Sequence, residues 1–458
     1  MLSECLKKWD RLHTYEKSVG IQLVLHTSCV NYTCEDLRKA AELGYEWVAP
    51  EDVYRELKLL VGSRIYHNQA ELLLKIINRY NNKYDKWNMT QLYKTTTERV
   101  DLEQYPGTVI YVFGDLNFTD EFLACVSEDV KGYIVIPSVN WSCVQGQATV
   151  FHLSVARRLS VRRAIPLTKS RGRGKLVEMD CLYVNDNTMV ISGNDMRFTG
   201  KGGSNANIYV TSDIPGKLIK GYKGFSLTGV QKKKVQILRR FGKRVPFLRA
   251  AFPVDIIFDE SGNIAAYTMK KITGKLLREY IFIGWDDHDP EKILKRLMRL
   301  ITELHCMHIL INDLSFNNVL IDEKDRVGIV DCDSFQILNF PGGGMTRLYQ
   351  HPEIKDEDFD TSLRQPRHEA FAFAVLLFQF LFYAEPLRQA QKTEYEREFH
   401  WKNAEFPFDT FTCSDNTNIE TRRNWFEQDE TVRRAFSDEF HFRRDVTIGE
   451  WLDILEIP

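Results

Sequence analysis

The sequence predicts a mixed α+β protein in which an α/β unit precedes a second, two-lobed α+β unit. In residues 1 to about 185, amphipathic helical patterns alternate with short apolar runs rich in β-branched residues, which is typical of buried strands in an α/β layer. From about residue 186, strand patterns come first and long helical patterns follow, which favours a β-rich lobe and then a helical lobe. The length of 458 residues is enough for two to three domains.

The composition is that of an ordinary globular protein, with 43% hydrophobic residues, 27% charged residues and a formal net charge of −2. A charge so close to zero gives no global field that would favour a nucleic acid or a membrane surface. The nine cysteines are scattered without zinc-site spacing, and no apolar run approaches the length needed to span a membrane. We therefore expect a cytoplasmic protein with reduced cysteines and no membrane partner.

In the first unit, three segments predict helices: "CEDLRKAAELG", "PEDVYRELKLLVG" and "NQAELLLKIINRY". The first is closed by Gly44, and the second has Pro50 at its first turn and Gly62 past its end. The runs "TVIYVFGD" and "GYIVIPSV" predict short buried strands. No convincing catalytic pattern accompanies them. We interpret residues 1–185 as a domain that recruits or recognises a partner, with a degenerate nuclease-like fold as the alternative.

Eight basic residues fall between Arg157 and Lys175. We interpret this run as a solvated connector and helix face, and a nucleic-acid contact is the alternative that it leaves open. The run lacks the interleaved aromatic residues on which bases would stack. A sequence-specific nucleic-acid site is therefore not favoured.

In the second unit, "LVEMDCLYVNDNTMVISG" predicts an antiparallel strand pair, and "FTGKGGSNANIYV" and "GKLIKGY" continue the β pattern. The run "EKILKRLMRLITELHCMHIL" predicts a long amphipathic helix. The run "HEAFAFAVLLFQFLFY" is apolar on all faces and too short to span a membrane, so it predicts a buried helix.

The apolar stretch "HILINDLSFNNVLIDEKDRVGIVDCDSF" carries Asp313, Asn318, Asp331 and Asp333, each set against or between apolar runs. If "NVLID" and "VGIVD" pair as a hairpin around "EKDR", Asn318 and Asp331 come to the same end of it. Their hard oxygen ligands would suit Mg²⁺, and Asp313 would lie nearby to take a proton from a hydroxyl. Metal ions on phosphates and a carboxylate on the nucleophile are what phosphoryl transfer needs.

These residues resemble the catalytic loop and metal-binding segment of the protein-kinase superfamily, whose pattern is H-R-D-L-x-x-x-N followed by D-F-G. Here "INDLSFNN" is followed by "DCDSF", with both spacings kept. The D-x-D-S-F segment is most similar to an atypical bacterial branch found beside von Willebrand-type and tellurite-resistance proteins. The resemblance covers about residues 190–458. It implies a bilobal protein-kinase-like domain, with a β-rich N-lobe at about 186–272 and a helical C-lobe at about 273–458, preceded by a separate α/β domain.

The resemblance also implies roles for individual residues, with ATP and Mg²⁺ as cofactors. The catalytic set is Asp313 as base, Lys220 on the α- and β-phosphates, and Ser315, which stands where Ser/Thr kinases commonly carry a lysine. Metal ligands are Asn318, Asp331 and Asp333. The nucleotide-binding set is Gly200, Lys201, Gly202, Gly203, Lys220 and Met269. Lys217 is the alternative to Lys220, and the third glycine of the loop is replaced by Asn205 or Ala206.

Outside the phosphate site, the resemblance implies three further placements. His305 occupies a position where kinases often carry a histidine, and Glu369 would hold the backbone of the catalytic loop. Glu353, in "HPE", would form a buried ion pair with Arg444, or with Arg443, on the last helix.

Two departures from the family pattern bear on activity. No acidic residue occurs between Gly221 and Val254, so the usual glutamate partner of the phosphate-binding lysine is missing. A glutamine, Gln231 or Gln236, takes that role, or the acid comes from elsewhere, or Lys220 is held differently. Asn312 replaces the catalytic-loop arginine, so we expect an activation segment that is placed without phosphorylation.

The leading interpretation is an atypical Ser/Thr protein kinase that transfers the γ-phosphate of ATP to a protein substrate. A small-molecule or nucleic-acid kinase is one alternative. A pseudokinase, meaning a nucleotide-binding scaffold that serves the N-terminal domain, is the other. Nothing in the sequence indicates the oligomeric state.

Overall fold

The computed structural model describes residues 1–13, 20–79, 108–125, 132–138, 147–159, 164–167, 182–185, 189–202, 206–223, 226–227, 229–285, 287–354, 360–389, 404–414, 417–441 and 445–457. Within these residues the chain forms mixed helices and several sheets, as the predicted α+β class requires. Gly203, Asn205, Arg443, Arg444 and most of the basic run after Arg157 lie outside the described residues.

The first sheet is built from five strands in the order β2-β1-β3-β4-β5. Strands β1 to β4 pair in parallel, and β5 pairs antiparallel with β4. The two apolar runs predicted as strands form β3 and β4, and the three predicted helices form α2, α3 and α4. The elements are α1 (Leu2–Leu12), β1 (Ile21–Leu25), α2 (Cys34–Ala41), β2 (Glu46–Val48), α3 (Glu51–Leu60), α4 (His67–Arg79), β3 (Thr108–Val112), α5 (Leu116–Cys125), β4 (Tyr133–Ser138), β5 (Gln147–His152) and α6 (Leu153–Leu159).

The second sheet is antiparallel and has seven strands in the order β7-β6-β11-β12-β10-β9-β8. One helix, α7, lies between β10 and β11 in the sequence. The elements are β6 (Leu182–Val184), β7 (Met189–Ile191), β8 (Arg197–Gly202), β9 (Ala206–Val210), β10 (Lys217–Tyr222), α7 (Gly229–Arg244), β11 (Pro253–Phe258) and β12 (Ile264–Lys270). The sheet thus begins slightly before the boundary predicted at residue 185.

The rest of the chain is mainly helical, with short strands that frame the acidic stretch. Strands β13, β15 and β16 form one small sheet, and β14 pairs with β17. The elements are β13 (Lys275–Leu276), α8 (Leu277–Ile283), α9 (Pro290–Cys306), β14 (Ile309–Leu310), β15 (Val319–Ile321), β16 (Val327–Ile329), β17 (Gln336–Ile337), α10 (Pro366–Phe382), β18 (Arg388–Gln389), β19 (Ala404–Glu405), α11 (Ile419–Glu427), α12 (Glu430–Phe440) and α13 (Ile448–Ile454).

Helix α10 lies at the centre of the helical region. It is apolar around its whole circumference, and nearly every residue from Glu369 to Phe380 is buried, as its sequence predicts. Phe378 packs on a cluster of rings that includes Phe408, Trp425 and Phe436. Among the described helices, none is both long enough and apolar enough to cross a membrane.

The α/β unit packs directly on the helical region, and residues of both share one continuous hydrophobic core. Helix α3 lies against α13, where a Cβ atom on Gly449 would come within 2.3 Å of the Asp52 carbonyl oxygen. Helix α3 also meets α9, where Arg299 Nε donates to the Leu59 carbonyl at 3.0 Å. Only glycine permits the first of these close approaches. The position of the α/β unit is therefore defined by side-chain and backbone contacts and not by a linker alone.

Candidate active site

The acidic stretch folds as the predicted hairpin. Strands β15 and β16 pair antiparallel, with Val319 opposite Ile329. The Val330 amide donates to the Asn318 carbonyl at 2.9 Å. Asn318 and Asp331 therefore lie at the same end of the hairpin, as the spacing of the sequence predicts. Asp331 has a φ of 67°, a left-handed conformation that is uncommon for a non-glycine residue and is found mostly where function requires it.

The Asp313 carboxylate is oriented by two hydrogen bonds. Asn318 Nδ2 donates to Asp313 Oδ2 at 2.8 Å and to the Asp313 carbonyl at 2.9 Å. The backbone amide of Thr346 donates to Oδ1 at 2.8 Å. Because both oxygens already accept a hydrogen bond, the carboxylate is held in one orientation. Such fixed geometry is what a general base requires.

Glu369 accepts hydrogen bonds from the backbone of the catalytic loop that carries Asp313. Its Oε2 accepts from the amides of Ile311 at 2.5 Å and Asn312 at 3.2 Å, and its Oε1 lies 2.9 Å from His305 Nε2. Burial alone would lower the pKa of His305, but the Glu369 carboxylate raises it above its ordinary value. The pair is therefore buried and is ionic below the folded pKa of His305, and it fixes the two residues that precede Asp313. This is the placement that the sequence predicts for Glu369.

Lys220, on β10, contacts the predicted metal-binding segment Asp331 to Phe335, called the metal segment below. Its Nζ contacts both Asp331 Oδ1 and Asp333 Oδ1, and Tyr267 Oη donates to Asp333 Oδ1 at 3.0 Å. Burial raises the pKa of Asp331, and repulsion from the neighbouring Asp333 raises it further. Burial acts in the same direction on Asp333, but the ammonium of Lys220 and the hydrogen bonds outweigh it and lower that pKa below its usual range.

The acids that pair with Lys220 thus come from the metal segment itself, Asp331 and Asp333. The sequence left open whether a glutamine of α7 takes this role, the acid comes from elsewhere or Lys220 is held differently, and these contacts favour an acid from elsewhere. Lys217 is held elsewhere, since its Nζ lies 2.5 Å from Asp255 Oδ2 at a partly exposed position. Lys220 is therefore the lysine that faces the acidic cluster.

Lys234 occupies the face of α7 that points at the metal segment, and the sequence analysis missed it. Its Nζ donates to the carbonyls of Asp333 at 3.0 Å and Pro341 at 2.8 Å. Burial lowers its pKa to about 7. The signal was present in the sequence, because Lys234 precedes Leu238 by one helical turn and so lies on the apolar face of the helix. A lysine on that face cannot replace the missing glutamate, but it ties α7 to the metal segment.

Of the glycine-rich segment, Gly200, Lys201 and Gly202 lie at the end of β8. Gly200 has a φ of +78°, and a Cβ atom on Gly202 would lie 2.8 Å from the Ala206 carbonyl oxygen, so both positions suit glycine. Lys201 is exposed. Met269 is buried on β12, opposite Leu218 of β10.

Ser315 is fully buried, and its Oγ has no hydrogen-bond partner within the described part of the chain. Its backbone carbonyl accepts from the Asn318 amide at 3.0 Å. A side chain without exposed surface is poorly placed to contact a substrate. The geometry therefore favours a structural role for Ser315 over the predicted catalytic one.

The predicted activation segment, from Asp331 to Glu353, contacts the catalytic loop directly. Asn312 Nδ2 donates to the Ser334 carbonyl at 2.9 Å, and a Cβ atom on Gly342 would overlap this carboxamide. The Gly343 amide donates to the same Ser334 carbonyl at 3.2 Å. Together with the Thr346 contact to Asp313, these bonds join the activation segment to the catalytic loop.

The prediction that Glu353 is buried is wrong, and its predicted partners, Arg444 and Arg443, lie outside the described residues. The Glu353 side chain is 54% exposed, and its Oε2 lies 2.6 Å from Arg367 Nη2, at the start of α10. His368 lies next to Glu353, and hydrogen bonds from His368 and Arg367 lower the pKa of the carboxyl. A nearby arginine at the N-terminus of α10 satisfies the carboxylate, which the family pattern did not reveal.

His351, Glu353 and His368 bring three potential metal ligands close together. Nδ1 of His351 accepts the Glu353 amide at 3.2 Å, and Nδ1 of His368 accepts the Gln365 amide at 3.2 Å. A neutral imidazole that accepts at Nδ1 carries its proton on Nε2, the nitrogen that would have to bind the metal. The three residues therefore do not fit a metal ion, and they form a hydrogen-bonded cluster instead.

Asp331, Asp333 and Asn318 fit a divalent cation better. Their oxygen atoms are hard ligands of the kind that Mg²⁺ prefers. The raised pKa of Asp331 reflects two carboxylates that repel each other in a buried place, and a cation would relieve this repulsion. Lys220 supplies positive charge there in the present structure.

Comparisons with known proteins leave the family open. No protein-family model matches the chain. A segment of 108 residues is 32% identical to (-)-alpha-terpineol synthase from Vitis vinifera, which is 22% of this chain and 18% of that enzyme. The crystal structure of Rad53 1-466 in complex with AMP-PNP matches with a TM-score of 0.32 and 18% identity, over 43% of this chain and 51% of that one. The chain spans less than a fifth of the first protein and about half of the second, and neither match carries an assignment of function.

Proposed function

We propose that the protein is an ATP- and Mg²⁺-dependent phosphotransferase, and specifically an atypical Ser/Thr protein kinase. The observation that carries the proposal is the β15–β16 hairpin, which holds Asn318 and Asp331 at one end beside the oriented carboxylate of Asp313. The spacing of these residues resembles that of the protein-kinase superfamily.

Asp313 is the proposed base for the acceptor hydroxyl. Its two hydrogen bonds, from Asn318 and from the Thr346 amide, fix where its oxygens point. Orientation of the nucleophile supplies much of the catalysis in phosphoryl transfer, because the protein does little covalent chemistry.

Lys220 is the proposed contact to the α- and β-phosphates. Its ammonium group lies on Asp331 and Asp333, so it would move from Asp331 to the phosphates when a nucleotide enters, while Asp333 continues to anchor it. Bound Mg²⁺ would supply charge neutralisation on the β- and γ-phosphates. Asp331, Asp333 and Asn318 are the residues that would hold it.

The contact of Lys220 with both carboxylates also favours a second candidate, a pseudokinase. A lysine that never leaves Asp331 would keep the site closed to the metal. The absence of acidic residues between Gly221 and Val254 means that α7 offers Lys220 no competing carboxylate. A small-molecule or nucleic-acid acceptor remains a further option for an active enzyme.

Transfer of the γ-phosphate from labelled ATP tests the proposal. The purified chain is incubated with Mg²⁺ and ATP, alone, with a lysate and with generic protein acceptors. We expect protein-bound label at serine or threonine, and loss of at least about a hundredfold in rate for Asp313→Asn. Asp213→Asn, at an exposed aspartate between β9 and β10, is the control. Binding of Mg²⁺ and ATP with no transfer to any protein or small molecule would identify the pseudokinase.

A further inference from the structure

The parallel sheet of the α/β unit presents its carboxyl edge to the catalytic loop. Ligand sites in open parallel sheets lie outside the carboxyl ends of the strands. Here that edge is covered: Asn31, in the turn after β1, donates through Nδ2 to the Cys306 carbonyl at the end of α9, at 2.7 Å. Phe118 of α5 packs edge-on against His305, with 5.7 Å between ring centroids. The edge that would hold a ligand instead contacts the residues that lead into the loop.

Asp115 follows β3 at the centre of this contact and is completely buried. Its Oδ1 accepts the amides of Asn117 at 2.6 Å and Phe118 at 3.1 Å, which caps α5. Its other oxygen, Oδ2, contacts Nδ1 of His308. One carboxylate therefore joins a helix start in the α/β unit to a histidine in the helical region.

His308 lies directly before β14, the strand that leads to Asp313. Its φ is +64°, which is uncommon for a residue with a Cβ atom. Its amide donates to the His305 carbonyl at 3.0 Å, and His305 is the residue paired with Glu369. A buried charged partner such as Asp115 can hold this strained turn in place.

Helix α5 makes a second contact with the same network. Glu121 is buried, and its Oε1 accepts the Arg367 amide at 2.8 Å. Arg367 lies in the first turn of α10, two residues before Glu369. The α/β unit thus contacts the end of α9, which carries His305, and the start of α10, which carries Glu369, the residue that holds the loop backbone.

We propose that Asp115 is a positioning residue for the catalytic loop, acting through His308, so that the α/β unit braces the loop that carries Asp313. The expected effect of Asp115 on the transfer rate rests on the proposed phosphotransferase function. The expected effect of Asp115 on the order of the loop does not depend on that function. The α/β unit would then be an integral part of the enzyme and not a detachable recruiting module.

The test compares Asp115→Asn and His308→Gln with Asp36→Asn in the full-length chain. Asp36 is the matched control, a buried carboxylate of the same unit whose oxygens accept from the amides of Leu2 and Ser3. Amide hydrogen exchange is followed at Ile311 and Asn312 in the loop and at Leu23 in the sheet. Mg²⁺-dependent ATP binding and the transfer kinetics are measured on the same samples.

We expect exchange at Ile311 and Asn312 to accelerate about tenfold or more in both interface variants, since the contact between the Asp115 carboxylate and the His308 ring is lost. Exchange at Leu23 should stay within about twofold, as should ATP affinity, and kcat should fall about tenfold with little change in KM. The double variant should be no worse than the more affected single variant, because the two residues act as one pair.

Unchanged loop exchange in both variants would overturn the proposal, and so would equal acceleration at Leu23 or an equal response of Asp36→Asn. If Asp115→Asn does not fold, His308→Gln, which leaves the cap of α5 intact, decides the outcome. If the parent protein transfers no phosphate, the proposed function fails, while the exchange data still decide whether Asp115 braces the loop.

Discussion

Replacing Glu369 with alanine should destabilise the protein more than almost any other single carboxylate change. The substitution leaves the amides of Ile311 and Asn312 without their acceptor and leaves His305 without its ionic partner. Each buried donor left unsatisfied costs about 1–3 kcal/mol, and breaking a buried ion pair by removing one member costs about 3–5 kcal/mol. These contributions overlap, so we expect a loss of about 3–5 kcal/mol in the free energy of unfolding.

The loss should also depend on pH. Glu369 raises the pKa of His305 above its unfolded value of about 6.5. The stabilisation from this shift is fully present below the unfolded pKa and is lost as the pH rises through the folded pKa. The difference between the parent and Glu369→Ala should therefore be larger at acidic pH than at alkaline pH.

Urea denaturation followed by circular dichroism, at a pH on either side of the His305 titration, measures both effects. Glu369→Gln keeps a carbonyl oxygen for the loop amides and should lose only about 1–2 kcal/mol. Glu430→Ala, at an exposed glutamate of α12 paired with Arg434, is the control and should change stability by less than about 1 kcal/mol. If Glu369→Ala denatures like this control, Glu369 does not hold the catalytic loop.

Two further predictions concern groups that the sequence analysis placed wrongly or missed. Glu353→Ala should lower the free energy of unfolding by no more than about 1 kcal/mol, because its ion pair with Arg367 is exposed. A loss of about 3 kcal/mol or more, measured by urea denaturation, would show that Glu353 has a buried partner after all. For Lys234, burial lowers the pKa to about 7, whereas an unfolded lysine titrates near 10.4. The unfolded state therefore binds more protons between these values, and the parent should gain stability as the pH rises through this window. Lys234→Met should lack that gain, and thermal melts with the same pH dependence in both proteins would contradict the buried placement.

The local parts of the candidate site could be predicted from the sequence because spacing determines them. Asp313, Asn318 and Asp331 lie within one hairpin whose strands are marked by apolar runs, and the structure forms that hairpin. Glu369 could be placed because the resemblance to the protein-kinase superfamily implies an acid at the start of this helix, and α10 is recognisable as a helix that is apolar on all sides. In both cases the residues that matter are close in sequence to a strong apolar pattern.

Contacts between distant segments could not be predicted in this way. Asp333 as partner of Lys220 depends on how the seven-stranded sheet lies over the metal segment, which no local pattern encodes. The contacts of Asp115 with His308 and of Glu121 with Arg367 join segments far apart in sequence. From the sequence alone, an aspartate such as Asp115 looks the same whether its carboxylate only caps its own helix or also contacts a residue of another unit.

The most direct test of the central claim is the effect of Mg²⁺ on ATP affinity in the parent and in Asp331→Asn, measured by isothermal titration calorimetry. We predict that Mg²⁺ strengthens ATP binding at least about tenfold in the parent, since a cation relieves the repulsion between Asp331 and Asp333. This enhancement should weaken as the pH falls, because the raised pKa of Asp331 means that its carboxylate protonates at a higher pH than an ordinary aspartate. Asp331→Asn should abolish the enhancement. ATP binding that is equally tight with and without Mg²⁺ in both proteins would contradict the account.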